Sequence, residues 1–306
     1  MVIRCTKINI STLLLLPLCL SAAVPENHPM WCQPVSPCKG VKVRALAMES
    51  PRTMKAFIAK IDLSTPGVAF AATGRDQLWG EPMPDYTNRT VLIDTKRETT
   101  SDFMMRCRAE GKPVIVAANA TPWIPWDCSA AYRSTYGSVR GWNVSDGIEV
   151  SHGKDPEKGA FFVVYRDGKA DITPSVPLSR TNDVTFAFCG FCLVMTNSVP
   201  ILARRADRML SPRTVFGLSA DRKTLILFAV DGRQPGYSLG ADSVDICKIL
   251  RSVGVVDAVD MDGGGSTTLV MYDKASGRPL TLNRPSDGCE RRNALNIGIY
   301  FKHGVP

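Results

Sequence analysis

The chain has 306 residues, 44% hydrophobic, with 37 basic against 29 acidic residues and a formal charge of +8. That length and apolar content are enough to bury a substantial core, and they exclude a chain too polar to fold. The three histidines, His28, His152 and His303, argue against multi-His zinc chemistry, and leave a Ser-His-Asp triad only if His152 serves it.

Read in chain order, residues 1–23 form a secretory leader. Arg4 and Lys7 are its basic region, 11–20 its short apolar core, and Ser21-Ala22-Ala23 its small-residue cleavage site. The core is too short to cross a bilayer, and no later segment reaches the run of about 18 apolar residues of a membrane helix. The expectation is an exported chain, secreted or periplasmic, beginning at Val24. Residues 24–55 read as a Cys-containing extension and 56–306 as one domain, because no linker-like tract divides them.

Strand signals dominate that domain. Residues 54–63 are apolar with β character and stop at Ser64-Thr65-Pro66-Gly67. The segments 161–165 and 169–173 flank Asp167-Gly168, a hairpin signal, and 215–219 and 225–230 flank Asp221-Arg222-Lys223. Residues 114–118 are a buried strand ending at Asn119. Two helices are predicted, one capped near Thr99–Thr100–Ser101 and stopped by Gly111, the other starting near Asp242-Ser243 and closed by Gly254. Many strands and few helices without βαβ alternation give an α+β fold: a single domain with a large mixed or antiparallel sheet and a few flanking helices.

Without the leader, the cysteines are Cys32, Cys38, Cys107, Cys128, Cys189, Cys192, Cys247 and Cys289. An even number in an exported chain predicts up to four disulfides, with Cys32–Cys38 and Cys189–Cys192 as the local pairs. Cys189-Gly-Phe-Cys192 reads as structural rather than as a redox or metal site, because no second CxxC or nearby histidine completes a ligand set.

The most informative stretch is Met261-Asp262-Gly263-Gly264-Gly265-Ser266-Thr267-Thr268, between two apolar segments. Three glycines together destabilise any regular element, and their usual justification is close approach of backbone to a ligand, often an anion held by bare N–H groups. Asp260 and Asp262 share a face of the predicted strand and fit an acid–base pair or a cation site. Asp231-Gly232-Arg233 ends another strand, so both strands deliver carboxylates to one sheet edge. Arg213 presents a fork suited to phosphate. Asn119 can orient sugar hydroxyls, cap a turn, or accept a glycan at Asn119-Ala120-Thr121. Trp142 can stack on a sugar or lie buried, and Trp123 and Trp126, between prolines, can wall a pocket. Basic residues are spread along the chain, which shows no nucleic-acid motif, so its cationic surface reads as attraction for an anionic substrate.

The run 261–270 resembles the signature of the phosphodiester glycosidase family. Arg97-Glu98-Thr99-Thr100, the strand ending in Asn119, Pro212-Arg213-Thr214, Asp231-Gly232-Arg233 and Asn293-Ala294-Leu295-Asn296-Ile297-Gly298-Ile299 match it in order. The loop Asn119-Ala120-Thr121-Pro122-Trp123 departs from the family's Asn-Gly-Gly pattern. The resemblance implies an enzyme that hydrolyses the anomeric C–O bond of a sugar-1-phosphodiester, a small molecule or a glycan. Arg213 and the amides of Gly263, Gly264, Gly265 and Ser266, with Gly232, would hold phosphate. Asp262 or Asp231 would stabilise the oxocarbenium-like centre or activate water, and Asn119 and Thr267 would orient the sugar. Two alternatives stand beside it: a non-catalytic carbohydrate- or envelope-binding module, and a phosphodiesterase using Ca²⁺ or Mg²⁺ on Asp231, Asp260 and Asp262.

Overall fold

A computed structural model describes residues 24–302 except 26, 85, 87, 126–134 and 203–204. The leader, Trp126, Cys128 and His303 therefore lie outside the described residues.

The two hairpins close where short polar side chains complete the turn. In 161–173 the amide of Lys169 donates to Asp167 (3.0 Å) and Gly168 adopts φ +81°. In 213–230 the Ser219 hydroxyl and the Lys223 amide both donate to Asp221, at 2.6 and 3.0 Å. Arg222 there takes φ +59°, a left-handed position tolerated because the Asp221 bonds brace the turn.

Every strand pairing described is antiparallel, so the predicted large sheet is an antiparallel one. It has eight strands, in the order Val35–Cys38, Val41–Met48, Met54–Asp62, Thr224–Val230, Arg213–Ser219, Val255–Asp260, Cys192–Thr196 and Val199–Pro200. Residues 24–55, expected as an extension, thus supply the edge of this sheet rather than an appendage. Two five-stranded sheets and a three-stranded one are the others among the described residues. The architecture is sheet-dominated, with two α-helices among the described residues.

Helix α1 (Thr100–Ala109) starts where Thr99 accepts from the amide of Asp102. It buries Phe103, Met104 and Cys107 against Val114, Ala117 and Val270. Helix α2 (Ser243–Ser252) begins with a reciprocal cap between Asp242 and Asp245 and lays Ile246, Cys247 and Leu250 on one face of the eight-stranded sheet. The other face of that sheet meets the main core. There Phe216 packs edge-on against Phe162 (5.8 Å between centroids) and Phe188 (6.4 Å), while Phe70 meets Phe162 and Phe186. These rings come from three sheets, so the aromatic cluster joins them.

The expected local disulfides are absent: Cys32, Cys38 and Cys189 are thiols. Cys189 faces the cluster containing Trp142 and Phe161, whereas Cys192 packs towards the cluster beneath α2. Burial pushes the thiols of Cys107 and Cys247 up to about 11, which makes them inert packing groups.

Truncating the aromatic hub tests this account. Phe216→Ala is expected to cost about 3–5 kcal/mol of unfolding free energy in urea; a loss below about 1 kcal/mol would mean that the sheets are joined elsewhere.

Candidate functional site

The register brings the start of strand Arg213–Ser219 and the ends of strands Thr224–Val230 and Val255–Asp260 to one edge: Arg213 pairs with Val230, and Val215 with Asp260. Strand Val116–Asn119 ends there too, beside strand Leu269–Asp273. Asn119, Arg213, Asp231, Asp260 and the glycine bend therefore collect at the same rim of the fold.

Asn119 is fully buried and its amide is engaged within the protein. It donates to the carbonyl of Asp262 (2.8 Å) and accepts from the Thr214 hydroxyl (2.7 Å) and the Thr268 amide (3.0 Å). These bonds set the position of the bend.

Arg213 is also engaged within the protein. Its guanidinium meets the buried carboxylate of Asp260 at 2.7 Å, and a second nitrogen donates to the carbonyl of Met209. The expected phosphate fork is thus a structural ion pair, which forms because Asp260 could not remain charged inside the protein without it.

Asp231 is saturated. Oδ1 accepts from Asn283 Nδ2 (3.1 Å) and the amide of Arg284 (3.0 Å); Oδ2 accepts from that amide and from the Tyr237 hydroxyl (3.2 Å). Burial pushes its pKa up to about 7 against the pull of these donors. Gly232 beside it is packed, since a Cβ there would stand 2.6 Å from the nitrogen of Pro212 and 2.8 Å from Cα of Gly240. Its expected part in holding phosphate gives way to backbone packing.

Asp262 differs from both carboxylates. It is half-buried, lies just beyond the strand end, and accepts from the amide of Gly263 (3.0 Å) and from Ser266. Burial pushes its pKa up to about 6, with Ser266 and the nearby Arg291 pulling it down. Among the described residues no cluster of three His, Cys, Asp or Glu is suited to a metal.

The glycine bend is used differently from the sequence expectation. Most of its amides are engaged within the protein: Gly263 donates to Asp262, Gly264 to Pro212 (2.9 Å), Ser266 to Gly263 (3.2 Å) and Thr267 to Gly264 (3.2 Å). They do not form a bare anion nest. What the missing side chains provide is room. A Cβ on Gly265 would overlap the Asp287–Arg291 ion pair, and one on Gly264, which has φ +62°, would stand 3.0 Å from the Arg233 guanidinium.

Those arginines are residues that sequence reasoning did not single out as ligands. Arg291 donates to the Ser266 hydroxyl (3.3 Å) while pairing with Asp287 at 2.7 Å. Arg233 is exposed at φ +58°, an uncommon conformation for arginine. Arg97 is buried, with its guanidinium over the Trp123 ring at 4.6 Å, and its pKa is lowered to about 10 by burial and by Arg292 and Arg291. The available signal was Arg291-Arg292-Asn293, cations crowded before an apolar strand. Trp142 and Trp123 are buried, and His152 packs on Trp79 while its amide donates to Asp94. Two cavities, of about 450 and 280 Å³, lie away from Asp231, Asp260, Asp262 and the glycine bend; Trp142 lines the smaller of them.

A sequence model described as phosphodiester glycosidase matches residues 127–301, more than half of the chain. The SPbeta prophage-derived uncharacterized protein YomE of Bacillus subtilis (strain 168) is 30% identical over 222 residues, which are 68% of this chain and 30% of that protein. The chain therefore spans under a third of that relative's length. Among solved structures, the catalytic domain of zebrafish N-acetylglucosamine-1-phosphodiester alpha-N-acetylglucosaminidase, auto-inhibited by its pro-peptide, superposes with a TM-score of 0.60 at 19% identity, covering 92% of this chain and 87% of that one. A hypothetical protein from Synechocystis gives 0.56 at 12% identity, covering 88% and 64%. At these identities the structures establish a shared fold.

Two measurements test this geometry. Arg213→Met should cost about 3–5 kcal/mol by leaving Asp260 charged and buried, and the double variant Arg213→Met/Asp260→Leu should recover much of that loss. A single variant as stable as the parent would exclude the ion pair. Separately, Asp231 and Asp262 titrate above their unfolded value of 3.8. Folding therefore favours their protonated forms, and their contribution to stability is present at acid pH and fades as pH rises through about 6 to 7. Asp262→Asn should flatten part of the slope of unfolding free energy against pH; an unchanged slope refutes the raised pKa.

Proposed function

The chain belongs to the phosphodiester glycosidase family, and on that premise we propose that it hydrolyses the anomeric C–O bond of a sugar-1-phosphodiester, with Asp262 as the working carboxylate. The observation that supports this choice is the contrast among the carboxylates at one rim. Asp260 is neutralised by Arg213, Asp231 is surrounded by donors, and Asp262 alone of the three is partly open to solvent.

The chemistry suits so few groups. A phosphate monoester leaves as a stable anion, so protonation of the leaving oxygen is a minor need. The ionised Asp262 can face the positive charge developing at the anomeric carbon, or take a proton from the attacking water. The C–O bond breaks with its electrons going to phosphate, water oxygen joins the sugar, and the released proton goes to the carboxylate or to solvent. N-acetylglucosamine is the sugar to try first, because the zebrafish protein of the same fold is named for that phosphodiester. The leader read at 1–23 makes the protein an exported one in this proposal.

Hydrolysis of N-acetylglucosamine-1-phosphodiesters in oxygen-18 water is the direct test: label is expected in the sugar, and label in phosphate means P–O cleavage and overturns the reading. Asp262→Asn should lower the rate by about 10²–10⁴. The ionised form is the active one, so the parent's kcat/KM should fall as pH drops below about 6. Near-normal turnover by the variant would remove Asp262 from the mechanism.

A further inference from the structure

Helix α2 covers only part of the sheet face on which it lies. Where the helix ends, that face holds the cavity of about 450 Å³, which the reaction above leaves unused. Its floor is apolar. Ile58 and Ile226 are buried members of the cluster beneath α2, and the half-buried Leu46 packs against that cluster. Ser252 and Val253, at the end of α2, form a wall. Three exposed cations, Lys42, Arg44 and Lys60, also line the cavity, and no carboxylate does.

Strand register brings these cations together. Residues directly opposite each other in an antiparallel pair share a face. Lys42 pairs with Lys60, Lys60 with Ile226, and Arg44 with Ile58. The face that buries Ile58 and Ile226 therefore presents all three cations beside them. Two lysines directly opposite each other repel and weaken a sheet. Among the described residues none of the three cations joins an ion pair that would relieve this. Lysine commonly guards an exposed sheet edge, but these strands are interior. Val41–Met48 lies between Val35–Cys38 and Met54–Asp62, and Met54–Asp62 is paired on its other side with Thr224–Val230. The result is unbalanced positive charge gathered over an apolar floor.

We propose that this cavity binds a small amphiphilic anion, with an oxyanion head held by Lys42, Arg44 and Lys60 and an aliphatic tail laid on Leu46 and Ile58. Charge complementarity selects the head, because three cations without a carboxylate among them favour an anion. The floor selects the tail, and the volume falls in the range of small-molecule sites, about 300–1,000 Å³. The floor is also recessed, with Ile58 only 5% exposed. A single chain can enter such a cavity, whereas a flat membrane surface meets only its mouth. The strand from Ile226 to Val230, the partner of Arg213, runs about 13 Å. The cavity is therefore separate from the rim that carries Asp262, and it does not depend on the reaction assigned there.

The test is calorimetric titration with hexyl phosphate, alongside butyl phosphate, inorganic phosphate and hexyl glucoside, with folding of each variant checked by urea unfolding. The parent should bind hexyl phosphate saturably and about tenfold more tightly than butyl phosphate, since each buried methylene is worth up to about fourfold. Inorganic phosphate and hexyl glucoside, each lacking one half of the ligand, should bind at least about tenfold more weakly than hexyl phosphate. Lys60→Gln and Leu46→Gln should each weaken hexyl phosphate by about fivefold or more. Lys42→Glu should abolish its binding and raise the urea midpoint, because a repulsive cross-strand pair becomes an attractive one. Asp262→Asn should bind like the parent. The site is overturned by an absence of saturable binding, by hexyl glucoside or inorganic phosphate binding as tightly as hexyl phosphate, or by folded Lys42→Glu and Lys60→Gln proteins within about twofold of the parent. Loss of binding in Asp262→Asn would put the ligand at the rim and overturn it too. So would sedimentation with phosphatidylglycerol vesicles in the absence of hexyl phosphate binding, which would make the face a membrane contact. Hexyl phosphate binding without any diester hydrolysis would sink the proposed reaction and leave this site standing.

Discussion

The side chain of Asn119 is the constraint on which the rim depends. Three of its hydrogen bonds join the end of its own strand to the carbonyl of Asp262, to Thr214 at the start of a strand in another sheet, and to the amide of Thr268. A planar amide fixes donor and acceptor directions at once, so these segments cannot shift independently. Inside a dry environment each bond is also stronger, and its loss more costly, than at the surface. The Arg213–Asp260 pair stands beside this clamp and holds the same two strand ends in register. Asp262 follows directly on a base held on both sides, a placement that suits the role proposed for it.

The three aspartates show how one residue type separates into different roles. All sit at or just past strand ends on one edge, and the sequence sets Asp262 and Asp231 apart from Asp260 only through the family signature. Asp260 is opposite an arginine, so its charge is fixed and its reactivity suppressed. Asp231 is ringed by Asn283, Arg284 and Tyr237, so it acts as an anchor for the turn at 283–284. Asp262 has fewer donors and some exposure. Its burial raises its pKa, and its partners restrain the rise. A carboxylate poised in that way can change protonation state during a reaction, whereas a saturated one resists it.

Much of the fold was legible because its signals are local. Helix α1 starts at the Thr99 cap and α2 at Asp242, and both hairpins turn on the expected Asp residues, since caps and turns depend on neighbours within a few positions. The family signature likewise marked the bend. What was not legible depends on partners far apart in sequence. Arg213 looked like a phosphate fork because its spacing to Asp260 in space is set by strand register and not by the 47 positions between them. The expected Cys189–Cys192 pair is absent for the same reason: the two are close in sequence, but the chain crosses from one sheet to another between them.

The glycine run shows why composition can locate a site while misreading its physics. Three residues without side chains suggested exposed amides, yet most of the bend's amides are engaged within the protein. The requirement comes from the other side of the backbone, where the Asp287–Arg291 pair and Arg233 approach positions that a Cβ at Gly265 or Gly264 would occupy. Glycine here admits cations to the neighbourhood of Asp262, with Arg291 reaching Ser266 through that gap. Positive charge near a half-buried aspartate keeps it ionisable, and the same field attracts an anionic ligand from solvent. The bend therefore shapes the electrostatics of the rim through the side chains it lets in, and its own hydrogen bonds keep that opening from collapsing.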